Sequence, residues 1–208
     1  VIPIGLQDNS SGIVCAKYGA TGMGWLHDHG LNKHGAQPSD FRNPVNVGRA
    51  GIFRRFRKYA LKNLNLTQPD NPNQITFSIL SSKDKDRRFD FVNQIDAVQR
   101  SLPSTVVKGV ALWEQTDWLS QIQIALNSLV FVSIGGGGTS PAFFLPRGAI
   151  LILYGKEYEK FDWDLWNNIG DIRVHWMATP SMENDTEILV NLIKQEVQNF
   201  ALVQGLRK

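Results

Sequence analysis

The chain has 208 residues, of which 42% are hydrophobic and 20% charged, and a net charge of +3. This balance suits one globular core, or one domain plus a piece of another, and excludes a strongly basic protein. No stretch approaches the roughly 18 consecutive apolar residues of a membrane span, and a single cysteine, Cys15, excludes an internal disulfide framework and any multi-cysteine zinc site.

The chain opens at Val1 without a signal or transit peptide, so any targeting segment is expected upstream. Residues 1 to 49 are rich in glycine and read as irregular connection with short strands such as Gly12 to Ala16. His27, His29 and His34, with Asp28, have the chemistry of divalent-metal ligands. In an irregular loop such side chains are more often solvated, and no metal is assigned.

Gly51 to Leu64 reads as an amphipathic helix, with Phe53, Phe56, Ala60 and Leu64 as its apolar stripe and Arg54, Lys58 and Lys62 on another face. Its cations form a local basic face. Without a base-stacking array, nucleic acid is not an expected partner.

Beyond a polar turn at Gln68 to Asn73, strands and helices alternate. Ile75 to Leu80 is a predicted strand, Arg88 to Leu102 a helix with Phe91, Ile95, Val98 and Leu102 on one face, and Val106 to Leu112 a strand. Thr116 to Asn127 follows as a helix, Leu129 to Ile134 as a strand, Pro141 to Phe144 as a short helix and Ala149 to Tyr154 as a strand. A helix at Asp162 to Asn168 leads to a strand at Ile172 to Met177. The helix Asn184 to Val203 closes the chain, with Asn184 and Glu187 spaced as a capping box. Such alternation predicts an α/β fold with a mostly parallel, Rossmann-like sheet covered on both faces.

In a parallel sheet, ligands bind outside the carboxyl ends of the strands. Two loops there are chemically loaded. Gly135, Gly136, Gly137 and Gly138 follow an apolar strand, and Ser140-Pro141 reads as N-cap plus first helical position. Such a junction aims unpaired N–H groups and the positive end of a helix dipole at one point, which suits a phosphate. The run is neither G-x-G-x-x-G nor a P-loop, and by itself it serves equally as a turn that lets a helix pack closely on its sheet. Ser82, Lys83, Lys85, Arg87 and Arg88 follow the strand ending at Leu80. They read either as counter-charges to a diphosphate or as a solvated loop neutralised by Asp84, Asp86 and Asp90. Asp162, Trp163, Asp164 and Trp166 suit sugar binding or helix packing, with packing favoured. No G-x-S-x-G elbow is present, and Cys15 has no activating neighbours.

Three glycosylation sequons occur, at Asn9-Ser10-Ser11, Asn65-Leu66-Thr67 and Asn184-Asp185-Thr186. They lean toward a lumenal setting.

Leu119-Ser120-Gln121-Ile122, the strand Leu129 to Ile134, Gly135-Gly136-Gly137-Gly138-Thr139-Ser140-Pro141 and Phe144-Leu145-Pro146-Arg147-Gly148-Ala149 agree in order and spacing with the closing motifs of one enzyme family. The chain resembles the C-terminal part of family 61 glycosyltransferases. Val14-Cys15, Phe53-Arg54-Arg55-Phe56-Arg57, Ile75-Thr76-Phe77, Arg87-Arg88 and Asn93 extend the resemblance upstream, less specifically. Gly135 stands where the family usually has His, Ser120 where it has Glu and Pro141 where it has Asn, and Arg87-Arg88 lies two residues further from Asn93 than the family spacing. This is a diverged branch.

The resemblance implies the nucleotide-sugar-binding lobe of a GT-B glycosyltransferase at residues 50 to 178, a remnant of the N-terminal lobe and linker at 1 to 49, and a closing helix within 179 to 208. It implies inverting, metal-independent transfer from a nucleotide sugar, a UDP-sugar by expectation, to a glycan or protein hydroxyl, with no permanently bound cofactor. Ser82, Lys83, Arg87, Arg88, Gly135 to Gly138, Thr139 and Ser140 would hold the donor, and the catalytic base is unassigned. A Golgi or endoplasmic reticulum lumenal location and a type II membrane parent follow from the same resemblance. The alternatives are a catalytically inactive carbohydrate- or protein-binding domain of the same fold and, more remotely, a basic nucleic-acid-binding module.

Overall fold

The alternation of strands and helices resolves, in a computed structural model, into one parallel sheet. The structure describes residues 50–79, 89–110, 117–155, 165–166, 169–178 and 183–205. These residues form α1 (Ala50–Asn63), β1 (Gln74–Ser78), α2 (Val92–Ser101), β2 (Val106–Val110), α3 (Trp118–Asn127) and β3 (Ser128–Ile134). A 3-10 helix at Gly137–Phe144, β4 (Ile150–Gly155), β5 (Arg173–Ala178) and α4 (Glu183–Gly205) complete the order. All five strands are parallel and run in the order β2-β1-β3-β4-β5. The fold is α/β and Rossmann-like, as the alternation predicts.

Sidedness follows from the two-residue period of the strands. Ile75 and Phe77 of β1, Val130 and Val132 of β3, and Ile150, Ile152 and Tyr154 of β4 share one core with Phe91 and Val98 beside and on α2 and with Leu189, Val190 and Ile193 of α4. Most of these side chains are fully buried, and each contributes about 1.5–3 kcal/mol relative to exposure. The intervening residues face the other way. There Thr76 Oγ1 lies 2.7 Å from Ser128 Oγ, and Ser128 Oγ donates to Ile124 O of α3 at 2.7 Å. On that side the rings of Phe53 and Phe143 stack at 6.2 Å and Phe143 meets Trp166 at 4.9 Å. Trp166 is buried, so it is a packing residue. Asp162, Trp163 and Asp164 lie outside the described residues.

Three local expectations change. The helix predicted from Arg88 starts at Val92, because Phe91 sits in the left-handed region at φ 57° and interrupts it. Its ring is held by Phe89 at 4.5 Å, Phe77 at 5.4 Å and Tyr154 at 5.7 Å, contacts that offset a backbone strain of about 1–3 kcal/mol. On α1 the buried side is turned from the predicted stripe: Leu61 is buried, while Phe56 and Leu64 are exposed. Arg57 is partly buried, and desolvation lowers its pKa against the opposing charge of Asp171. Neighbouring Arg54 grips Asp171, its Nε donating to both carboxylate oxygens at 3.1 Å. Part of the basic face therefore anchors the helix to the turn before β5.

α4 is tied to β5 by a buried carboxylate. Glu196 Oε1 lies 3.0 Å from His175 Nε2, and Oε2 lies 2.7 Å from Arg173 Nη1. Replacing Glu196 with Ala leaves both partners at a sheet edge without their acceptor. Urea unfolding should show a loss of about 1–3 kcal/mol. An unchanged midpoint would contradict this role.

Candidate functional site

The strand order defines the site before any side chain does. From β1 the chain crosses one way to β2 and later returns past β1 to β3, so β1 and β3 are neighbours whose onward connections diverge. The carboxyl ends of such a pair open a crevice, and in open α/β sheets this is where ligands bind. The glycine run follows β3 directly. Residues 80–88, which include Ser82, Lys83, Arg87 and Arg88, follow β1 in the chain and lie outside the described residues.

The turn is fixed to the sheet at both ends. Gly135 N donates to Tyr154 O of β4 at 2.8 Å, and Ser78 Oγ, at the last residue of β1, donates to Gly138 O at 3.3 Å. Gly136 has φ 111°, a region that side-chain-bearing residues rarely adopt, and a Cβ there would meet no atom within 4 Å. The glycine is required by backbone angle, not by crowding. Gly137 is exposed and Gly138 buried.

The helix begins earlier than Ser140-Pro141 suggests. Gly136 is its N-cap and no side chain caps it. Thr139 N donates to Gly136 O at 3.0 Å, so the ladder starts at Thr139 and the N–H groups of Gly137 and Gly138 precede it. Thr139 Oγ1 donates to Gly136 O at 2.7 Å and Ser140 Oγ to Gly137 O at 2.8 Å. Both hydroxyls therefore fix the turn from within. An anion there would meet N–H groups and a positive helix end without a side chain in the way.

Two residues that the sequence pattern did not single out sit at the same edge. Tyr154, in the last part of β4, is fully buried, and its hydroxyl pKa is raised by desolvation and then by the charge of Asp185. Asp185, in the first turn of α4, is pushed above the ordinary carboxylate range chiefly by burial, with the Tyr154 hydroxyl acting in the opposite sense. A tyrosine closing an apolar strand is a visible cue; its meeting with a carboxylate 31 residues on is not.

Ser120 has a defined role of its own. Asp117 caps α3, accepting from Ser120 N at 3.0 Å and from Ser120 Oγ at 2.6 Å, and these bonds lower its pKa. The Ser120 hydroxyl is thus part of a helix cap. His27, His29 and His34 lie outside the described residues, and among those residues no helix is long and apolar enough to cross a membrane.

No family model matches the chain. The chain is 28% identical over 129 residues to the EGF domain-specific O-linked N-acetylglucosamine transferase of Gallus gallus, covering 61% of this chain and 24% of that protein. The Xenopus laevis protein of the same name is 30% identical over 111 residues, covering 52% of this chain and 21% of its own length. The Canis lupus familiaris protein is 27% identical over 129 residues. The chain spans about a quarter of the length of the curated relatives it matches.

The Asp185 shift predicts a pH dependence. With its folded pKa raised, the folded chain holds that proton more tightly than the unfolded chain. The resulting stability is complete below the unfolded pKa and is lost as pH rises through the folded one. Asp185→Asn removes this loss, so the stability of the variant relative to wild type should rise from acid to neutral pH in chemical denaturation. A pH-independent difference would refute the assignment.

Proposed function

We propose, from the kinship of this chain with family 61 glycosyltransferases and from its site geometry, that it is the donor-binding lobe of an inverting GT-B enzyme. It would transfer a sugar from a nucleoside diphosphate carrier, a UDP-sugar in our reading, to a glycan or protein hydroxyl. The observation that supports this best is the glycine turn, fixed at the β1–β3 crevice by Ser78 and Tyr154 with its leading N–H groups ahead of the helical ladder.

In this mechanism the N–H groups of Gly137 and Gly138 and the helix end hold the diphosphate. As the anomeric bond breaks, negative charge grows on the departing phosphate, and fixed dipoles stabilise it without reorganising. Lys83, Arg87 and Arg88, in the loop leaving β1, would supply compensating charge, as would Ser82 a hydroxyl. A metal is not needed for that step in this reading. The base that deprotonates the acceptor would come from the remaining length of the protein, since this chain spans only a quarter of its relatives. The relatives' printed activity and the three sequons support a lumenal, Golgi or endoplasmic reticulum setting for the parent protein.

One observation favours a second reading, a binding lobe without turnover: Ser120 is committed to capping α3, and Gly135 provides no side chain. Sugar release from a nucleotide sugar by the full-length protein separates the two.

Calorimetry with UDP tests the site itself. Gly137→Asp should abolish binding while leaving a folded protein, because it sets a carboxylate where phosphate charge would sit. Arg88→Ala should remove a charge-assisted bond of about 1.5–3 kcal/mol, or roughly ten- to over a hundredfold in affinity, and flatten the salt dependence. Lys58→Ala, on the exposed face of α1, is the control and should bind normally. Undiminished affinity in both site variants would remove the glycine turn and its neighbouring loop from the function.

A further inference from the structure

The three sequons are equivalent as sequence, and the fold separates them. Asn65 follows α1 in the left-handed region at φ 53°. Its own N–H donates to Lys62 O at 3.3 Å, and Leu66 N donates to Leu61 O at 3.0 Å. This pair of bonds is a Schellman closure with Asn65 at the position after the helix cap, where asparagine substitutes for glycine. Leu61 is buried and Leu66 half-buried, supplying the apolar contact that accompanies such a closure. The backbone of the sequon is thus fixed to the helix end, while the side chains of Asn65 and Thr67 are exposed. Neither side chain has a hydrogen-bond partner among the described residues. Arg57 Nη2 donates to Gln68 Oε1, drawing the chain beyond Thr67 back toward α1.

Asn184-Asp185-Thr186 is different. It lies inside the first turn of α4, Glu183–Gly205, where residues two apart point to opposite sides of the helix. Asp185 and Thr186 are partly buried, and Asp185 is coupled to Tyr154. Asn9 lies outside the described residues.

We propose that Asn65 is an N-glycosylation site, occupied by a glycan delivered from a lipid-pyrophosphate-linked oligosaccharide, and that Asn184 is not used. In the transfer, Asn65 Nδ2 bonds to the anomeric carbon of the first sugar as that carbon's bond to the pyrophosphate oxygen breaks. The lipid pyrophosphate leaves as an anion, and the carboxamide proton passes to the base of the transferring enzyme. The exposed helix end accommodates the glycan with no rearrangement of the fold. The inference rests on the lumenal location proposed above.

The full-length protein containing this chain should be expressed in eukaryotic cells in two forms, one with its native leader and one behind a cleavable secretory signal. Enzymatic deglycosylation in heavy-oxygen water then marks occupied asparagines for mass spectrometry. Label is expected on Asn65, with a matching gel shift lost in Thr67→Ala and retained in Thr67→Ser. Thr67→Ala leaves the helix closure untouched, so loss of the glycan cannot be blamed on misfolding, and Asn65→Gly provides a second variant that keeps the left-handed backbone. Label on Asn65 only in the form with the added signal would sustain the site and overturn the native lumenal location. A secreted, signal-cleaved protein with Asn65 unlabelled, or with label on Asn184 in its place, would overturn the proposal.

Discussion

The divergence of the chain on either side of β1 and β3 is the constraint on which the rest of the molecule depends. It opens a crevice at the carboxyl ends of the two strands, and the glycine run leaves β3 there. Four successive glycines can follow the direction the sheet imposes there, and Gly136 does so at φ 111°. The Ser78 hydroxyl on one side and the Tyr154 carbonyl on the other hold that path. The turn is pre-organised because its hydrogen bonds reach the neighbouring strands as well as back along its own loop.

That arrangement decides which atoms are left for a ligand. Thr139 and Ser140 are the polar side chains of the turn, and both donate inward to glycine carbonyls at 2.7 and 2.8 Å. Those carbonyls would otherwise crowd the opening with negative partial charge. With hydroxyl donors on them, the balance at the mouth of the turn shifts toward the unbonded N–H groups, which favours an anion.

The elements themselves were largely legible in the sequence, because each buries one face and the burial period shows. Ile95 and Val98 on α2 with Phe91 and Leu102 flanking it, and Leu189, Leu192, Ile193, Val197 and Phe200 on α4, meet the shared core as their spacing requires. What the sequence could not show is pairing between distant segments. The order β2-β1-β3-β4-β5 is invisible to periodicity, which marks a strand but not its neighbours. The stripe on α1 misled for a related reason: Arg54 and Arg57 are drawn toward Asp171, 117 and 114 residues away, and this turns the helix so that Phe56 faces solvent. The helix start at Gly136 was hidden because serine and threonine serve both as caps and as internal bonders to carbonyls three residues back, and local sequence does not choose between them.

The convergence of Tyr154 and Asp185 ties separate parts of the fold together. Tyr154 is joined to the glycine turn through its carbonyl and to the start of α4 through the field of Asp185. Its ring also packs on Phe91, whose strained backbone caps the start of α2. One residue thus links the glycine turn, the start of α4 and the residue that opens α2.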